Sequence, residues 1–375
     1  MNNELCRITG AEFPLFAFSH CRNVVAAVTN AGGFGVLGGS SFMPEQLEIE
    51  LKWIDEQVKG KPYGIDILIP ENMPAEALAA ASPEKLAALV PERHLQFTAD
   101  LLKQYGVDLS FGAGSKRLLT IMPEISQKLL DVAFRHPIRL IANALGIAPP
   151  QMIEAGRKHG VPVAALVGAK EHAVRQVKAG VDVIVAQGGE AGGHCGEVST
   201  LVLVPEVIQA IKAVRSVPVL AAGGIVTGRQ MAGCMAMGAQ GVWTGTVWLA
   251  TTDSEVTEAI REKIIAATSR DTIRSKARTG KPSRQLRSAW HDAWEGPDSP
   301  GALPMPQMGL VSQPAFLKID KAVEGGNEQA RALVSYFAGQ GVGMIDSVKS
   351  AATVVREFKE EFAEALVELQ QTVEE

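Results

Sequence analysis

The feature that most constrains this chain is a repeated alternation of short apolar, β-rich runs with helical patterns, the signature of successive β-α units feeding a parallel sheet. Eight such runs can be counted, over 13–18, 34–39, 62–70, 138–144, 161–167, 181–187, 217–224 and 239–245. Helical stretches follow them, such as "RNVVAAVTNAGG" after the first and "KEHAVRQVKAG" after the fifth. Gly160, Gly180 and Gly238 each end a helical pattern just before the next run, where left-handed C-terminal caps belong. Eight parallel strands can close on themselves, so the expected fold class is α/β, a (β/α)8 TIM barrel. An open doubly wound sheet is the rival, but it usually has fewer strands, and its dinucleotide fingerprint is not evident after the first run.

Two segments do not fit the repeat. The stretch 71–137 is too long for a plain loop and carries helical runs, "PERHLQFTADLLKQYG" and "PEISQKLLDVAF", so a helical insertion after strand three is expected at the barrel mouth. The barrel should therefore occupy 1–251, and 252–375 should form a mainly helical C-terminal extension packed on it. Within that extension "EGPDSPGALPMPQMG" (295–309) reads as a crossing loop. The last segment places Ala352, Val355, Phe358, Phe362, Leu366 and Leu369 on one stripe. That helix is expected to pack on the barrel, and its stripe also leaves room for a homodimer.

Charge and cysteine usage exclude several functions. The 36 basic and 41 acidic residues are mixed throughout and leave a net charge of −5, with no basic stripe to track phosphates, so nucleic acid is not an expected partner. Cys6, Cys21, Cys195 and Cys234 are far apart, which suits a reducing compartment better than a disulfide framework or a zinc knuckle. No H-x-x-x-H or C-x-x-C spacing occurs, so no metal is expected. No apolar run approaches the roughly 20 residues that span a bilayer, and the N-terminus has no long apolar core of a signal peptide. The expectation is a cytoplasmic protein with no membrane partner.

In such barrels the chemistry lies at the C-terminal ends of the strands, and the loops after strands seven and eight commonly bind phosphate. Here those loops read "AAGGIVTGRQ", with Gly223 and Gly224, and "WTGTVW", with Gly245 and Thr246, so backbone N–H groups can be aimed at an anion. The loop after strand six is "QGGEAGGHCGEVST", in which five glycines surround His194. A histidine held there is a candidate catalytic or substrate-binding group. Gln187 could bind a heterocycle or a ribityl chain. Glu190 reads as a structural carboxylate bonding loop N–H groups, and Cys195 as a small packed residue. His20 follows strand one, and it could line the pocket or serve structurally; Ser19 beside it shares that position. Asp66, on strand three, could bond a cofactor or satisfy buried backbone groups. His94, His136, His159, His172 and His291 are read as surface or capping residues.

Four stretches together, "VAQGGEAGGHCGEVST", "PVLAAGGIVTGRQMAGCMAMGAQGVWTGT", "VTNAGGFGVLGG" and "FAGQGVGMI", closely resemble the nitronate monooxygenase family, formerly the 2-nitropropane dioxygenases. The resemblance implies an FMN-dependent barrel acting on a small nitronate substrate, such as propionate 3-nitronate, with dioxygen. It implies His194 as the active-site base, and Gln187 and Gly192 as flavin contacts. Gly223, Gly224, Gly245 and Thr246 would hold the FMN phosphate, and Gln340 would reach the same pocket. The family usually has Pro-Met after strand one, whereas this chain reads "AFSHCRN", so Ala17, Phe18 and Ser19 would serve by main chain. Strand three commonly ends in Gly-Val-Asn, and here it reads Gly64-Ile65-Asp66, which places a carboxyl near the flavin. An NAD(P)H-dependent quinone or enoyl-thioester reductase on the same flavin barrel is the alternative activity.

Overall fold

The structure is a computed structural model, and it describes residues 1–70, 88–109, 120 and 122–374. Eight parallel strands close in the order β1 (Leu15–Ser19), β2 (Phe34–Gly38), β3 (Gly64–Asp66), β4 (Leu140–Asn143), β5 (Val163–Val167), β6 (Val183–Gln187), β8 (Val219–Ala222) and β9 (Gly241–Thr244). The closure is the β1–β9 pairing, with Leu15 opposite Val242 and Ala17 opposite Thr244. β7 (Gly193–His194) lies outside the barrel.

Period-two alternation sorts the strand residues into two cores. Phe16, Phe34, Val36, Leu140, Ala142, Val183, Val185, Leu220 and Trp243 fill the lumen. Leu15, Leu37, Ile65, Ile141, Ile184, Val219 and Val242 face outward into the layer beneath the helices. The lumen is thus a packed interior and not a pore. At its N-terminal end it is plugged by α1 (Glu4–Thr9), whose Leu5 and Cys6 join the same cluster. Asn3 fixes that plug, since its Oδ1 accepts from Cys6 N at 2.9 Å while its Nδ2 donates to the carbonyl of Gln240 at 2.7 Å, just before β9.

The outer ring comprises α2 (Arg22–Asn30), α3 (Pro44–Val58), α5 (Pro123–Ala133), α6 (Pro150–His159), α7 (Lys170–Ala179), α8 (Thr200–Lys212) and α9 (Gly228–Ala236). Gly160 and Gly180 are left-handed caps, with φ of 66° and 107°, and Gly238 (φ 103°) is left-handed one residue past its cap. After β9 only the short α10 (Thr246–Leu249) follows, and the eighth ring position is filled from far along the chain. α14 (Ala351–Glu374) packs between α9 and α2, burying Ala351, Val354, Val355, Phe358 and Phe362, with Phe358 stacked on Trp248 at 6.5 Å. The approach to α9 is close enough that a Cβ on Gly228 would collide with the Phe358 carbonyl. The expected stripe is therefore right in its centre and wrong at its ends: Ala352, Leu366 and Leu369 are exposed.

The insertion also needs correction. α5 packs against α3 as an ordinary ring helix, so the end of 71–137 belongs to the barrel repeat. α4 (Glu92–Gln104) is the extra element, and it packs on α13 (Gln307–Glu324) of the C-terminal region. Residues 71–87, 110–119 and 121 of the expected insertion lie outside the described residues. The C-terminal region is not only helical: besides α11 (Glu258–Ala266), α12 (Ala289–Trp294) and α13 it contains an antiparallel hairpin, β10 (Thr272–Ser275) and β11 (Ser283–Leu286). Among the described residues no helix is long and apolar enough to cross a membrane.

Candidate active site

The loop after β6 is tied down on three sides. Glu190 accepts from the Thr200 backbone N–H and hydroxyl, both at 2.9 Å, which makes it the structural carboxylate its glycine neighbours suggested. The segment around Gly339 lies across the loop: Gln340 N donates to the Glu190 carbonyl at 2.8 Å, and Gly339 N donates to the Thr246 hydroxyl at 2.9 Å. A Cβ on Gly192 would stand 2.8 Å from Gly339 N, so Gly192 serves this crossing. Gly193 has φ 74°, and from it the chain runs into β7, which pairs antiparallel with β11, His194 opposite Ser283. Two hairpin arginines hold the loop's carbonyls. Arg284 Nε donates to the Gly189 carbonyl at 2.9 Å, and Arg274 Nη2 to that of Cys195 at 3.4 Å.

Between this loop and the ends of β4 and β5 is a cavity of about 320 Å³. Its wall includes Ala144, Leu166, Gly168, Gln187, His194 and Cys195, with Arg175, Arg274, Lys281 and Pro282 on the side of α7 and the hairpin. His194 is half-buried, and its Nε2 is 2.9 Å from the Thr279 hydroxyl. Burial, helped by the Lys281 ammonium, lowers its pKa to about 4, so the ring is neutral near pH 7 and able to take a proton. Burial pushes the Cys195 thiol up, against the nearby arginines, so it is no thiolate nucleophile.

The glycines expected to bind phosphate lie at the C-terminal ends of β8 and β9. Gly223 and Gly224 follow β8 with φ of 112° and 71°, a left-handed pair that L side chains rarely adopt. Gln230 anchors this loop, its Nε2 donating to the Gly224 carbonyl at 2.9 Å and its Oε1 accepting from Val226 N at 2.7 Å. At Gly245, after β9, an added Cβ would meet nothing within 4 Å. Asp66, at the end of β3, is buried beside Ala142 with Oδ1 lacking any hydrogen-bond partner, and burial raises its pKa to about 7. An orphaned buried carboxyl and an open glycine surface at one barrel mouth fit a polar, phosphate-bearing cofactor.

Strand one brings no side chain to the cavity beside His194. Ala17 faces the outer layer, and Phe18 faces the lumen, stacked with Trp243 at 6.2 Å. The Ser19 hydroxyl is turned onto its own chain, accepting from Cys21 N at 3.1 Å, and His20 is exposed, its Nδ1 2.7 Å from the Ser41 hydroxyl. Neither lines the cavity beside His194. Two of the histidines read as surface groups are buried: His94, against Trp294, and His291, whose pKa burial lowers to about 3. The residues the sequence reading missed are Arg274, Thr279, Lys281 and Arg284 of the hairpin. The available signal was "RTGKPSR" between two short β-branched or polar runs, with Gly280 left-handed at φ 83°. Among the described residues no group of three or more His, Cys, Asp or Glu is placed to hold a metal ion.

Comparison with known proteins gives a consistent set of relatives. The family profile described as nitronate monooxygenase matches residues 14–361. A Mycobacterium tuberculosis protein provisionally named a monooxygenase is 50% identical over 381 residues, covering all of both chains. A Staphylococcus aureus protein named a probable nitronate monooxygenase is 29% identical over 301 residues, 76% of this chain and 78% of its own. Among solved structures, a nitroalkane oxidase from Streptomyces ansochromogenes is similar at a TM-score of 0.78 and 26% identity, covering 96% of this chain and 99% of its own. A variant of FabK from Thermotoga maritima is similar at 0.69 and 25% identity, covering 99% of both chains.

Proposed function

The chain belongs to the nitronate monooxygenase family, and we propose that it oxidises alkyl nitronates with dioxygen to a carbonyl compound and nitrite, using FMN. The observation that carries this reading is His194 on the wall of a cavity that Arg175, Arg274 and Lys281 also line. A nitroalkane becomes a nitronate by losing its α-proton, and a neutral imidazole is the group suited to take it. Arg175 and Lys281 stand on the same wall and favour the anion that results.

The FMN would be held with its phosphate at Gly223, Gly224, Gly245 and Thr246. Its ring system would meet Asp66, Gln187 and the Gly192 backbone, with Ala17 and Phe18 contributing by main chain from strand one and Gln340 from the C-terminal region. When bound it would supply the redox chemistry between the nitronate and dioxygen. The chain's own part is to bind the anion, orient it and manage the α-proton. Replacing His194 with Asn tests this division. The expected result is retained flavin with turnover of a neutral nitroalkane reduced at least about a hundredfold; full activity on the neutral substrate would overturn the role of His194.

A further inference from the structure

His194 meets a single side-chain partner among the described residues, the Thr279 hydroxyl at the turn of the hairpin, 2.9 Å from Nε2. The hydroxyl has other bonds: its oxygen is 3.0 Å from the Lys281 carbonyl, to which it donates, and 3.3 Å from the Lys281 backbone N–H, from which it accepts. A hydroxyl has one proton and two lone pairs. With its proton on the Lys281 carbonyl, which can only accept, Thr279 has nothing left to give the imidazole and must accept from it. The ring proton is then on Nε2, and Nδ1 carries the lone pair. The opposite tautomer would pull the hydroxyl proton away from the Lys281 carbonyl and set the imidazole against the turn's own bonding.

We infer that Thr279 is the positioning residue for His194, holding the imidazole in the Nε2–H tautomer so that Nδ1 is the atom that accepts the substrate's α-proton. The step is a plain proton transfer. The substrate C–H bond breaks, its electron pair stays on the substrate as the nitronate, and the proton forms a bond to Nδ1, leaving an imidazolium whose Nε2–H still donates to Thr279. The hydroxyl therefore serves both charge states of the ring without turning over. β11 places it, because the pairing of Ser283 with His194 brings the hairpin turn beside the histidine it orients. Nothing in the β6 loop itself provides this partner.

The inference rests on the reading of His194 as the base, and the test separates the two. In protein labelled with 15N-histidine, the His194 signals are identified by their loss in His194→Asn, and the protonated nitrogen is read from two-bond couplings near pH 7. Wild type is expected to carry its proton on Nε2. Thr279→Val should shift the ring toward a mixture or the Nδ1–H form, and should lower the ratio of nitroalkane to nitronate turnover about tenfold, the worth of one hydrogen bond to the ring. Thr279→Ser, which keeps the hydroxyl, should restore both. An Nδ1–H ring in wild type, or identical spectra in wild type and Thr279→Val, would overturn the inference. So would equal losses in the Val and Ser variants, which would mark a packing effect. A tautomer that moves in Thr279→Val with no change in the turnover ratio would uphold the positioning and refute His194 as the base.

Discussion

Asp66 gives the prediction that depends least on the reaction. Its carboxyl is 4% exposed at the end of β3, has an oxygen with no hydrogen-bond partner, and is raised from 3.8 to about 7 by burial alone. The folded, flavin-free protein therefore binds a proton at Asp66 over a pH range in which the unfolded chain has released it. The group's folded pKa lies above its unfolded value, so stability is fully present below about pH 4 and declines as pH rises toward and past 7, levelling off once both states are ionised. The full effect is about 4 kcal/mol, most of which falls between pH 5 and pH 9. Asp66→Asn removes the titration while keeping the shape. The assay is urea unfolding of flavin-free protein at pH 5 and pH 9, and the quantity is the change in stability between them, which cancels the constant penalty of burying an amide. Wild type should lose about 2–3 kcal/mol more than the variant over that interval. Equal losses in the two proteins would refute the claim that Asp66 is a desolvated, unpaired carboxyl.

Two further outcomes follow from other parts of the site and ring. The rate on a neutral nitroalkane should hold steady as pH falls from 7 and drop only near the His194 pKa of about 4, because the ring must be neutral to act; Lys281→Gln should move that drop to higher pH by removing the cation that disfavours protonation. An unshifted acid limb in Lys281→Gln, read from kcat/KM profiles, would contradict that coupling. Gly228→Ala should destabilise the protein by about 1–3 kcal/mol, as overpacking does, since the new methyl would be driven into the α14 backbone at Phe358. A thermal unfolding midpoint equal to wild type would show that α14 does not close the ring as described.

The barrel was legible because its signal is local. Each strand is a short apolar run whose alternation sorts Phe16 or Val185 inward and Leu15 or Ile184 outward, and three of the helix ends carry a left-handed glycine, Gly160, Gly180 and Gly238. The glycine loops were legible for the same reason, together with His194 among them. What was not legible depends on partners far along the chain. β10 and β11 read "TIRS" and "SRQL", too short and polar to announce strands, and they form because Arg284 reaches Gly189 and Ser283 pairs with His194. The stripe of α14 announced an amphipathic helix but not that its first half would complete a ring begun some three hundred residues earlier. The turn after β1 was not legible either: there the Ser19 hydroxyl accepts from Cys21 N and His20 Nδ1 lies beside the Ser41 hydroxyl.

The central claim is tested most directly by mixing the flavin-loaded protein with an alkyl nitronate in air while following dioxygen and nitrite, with a parallel anaerobic mixing against NADH and NADPH. The account predicts dioxygen uptake with nitrite release, and a flavin spectrum that the nicotinamides leave unchanged. Rapid bleaching of the flavin by NADH or NADPH, with no nitrite formed from the nitronate, would contradict it and make the protein a reductase on the same barrel.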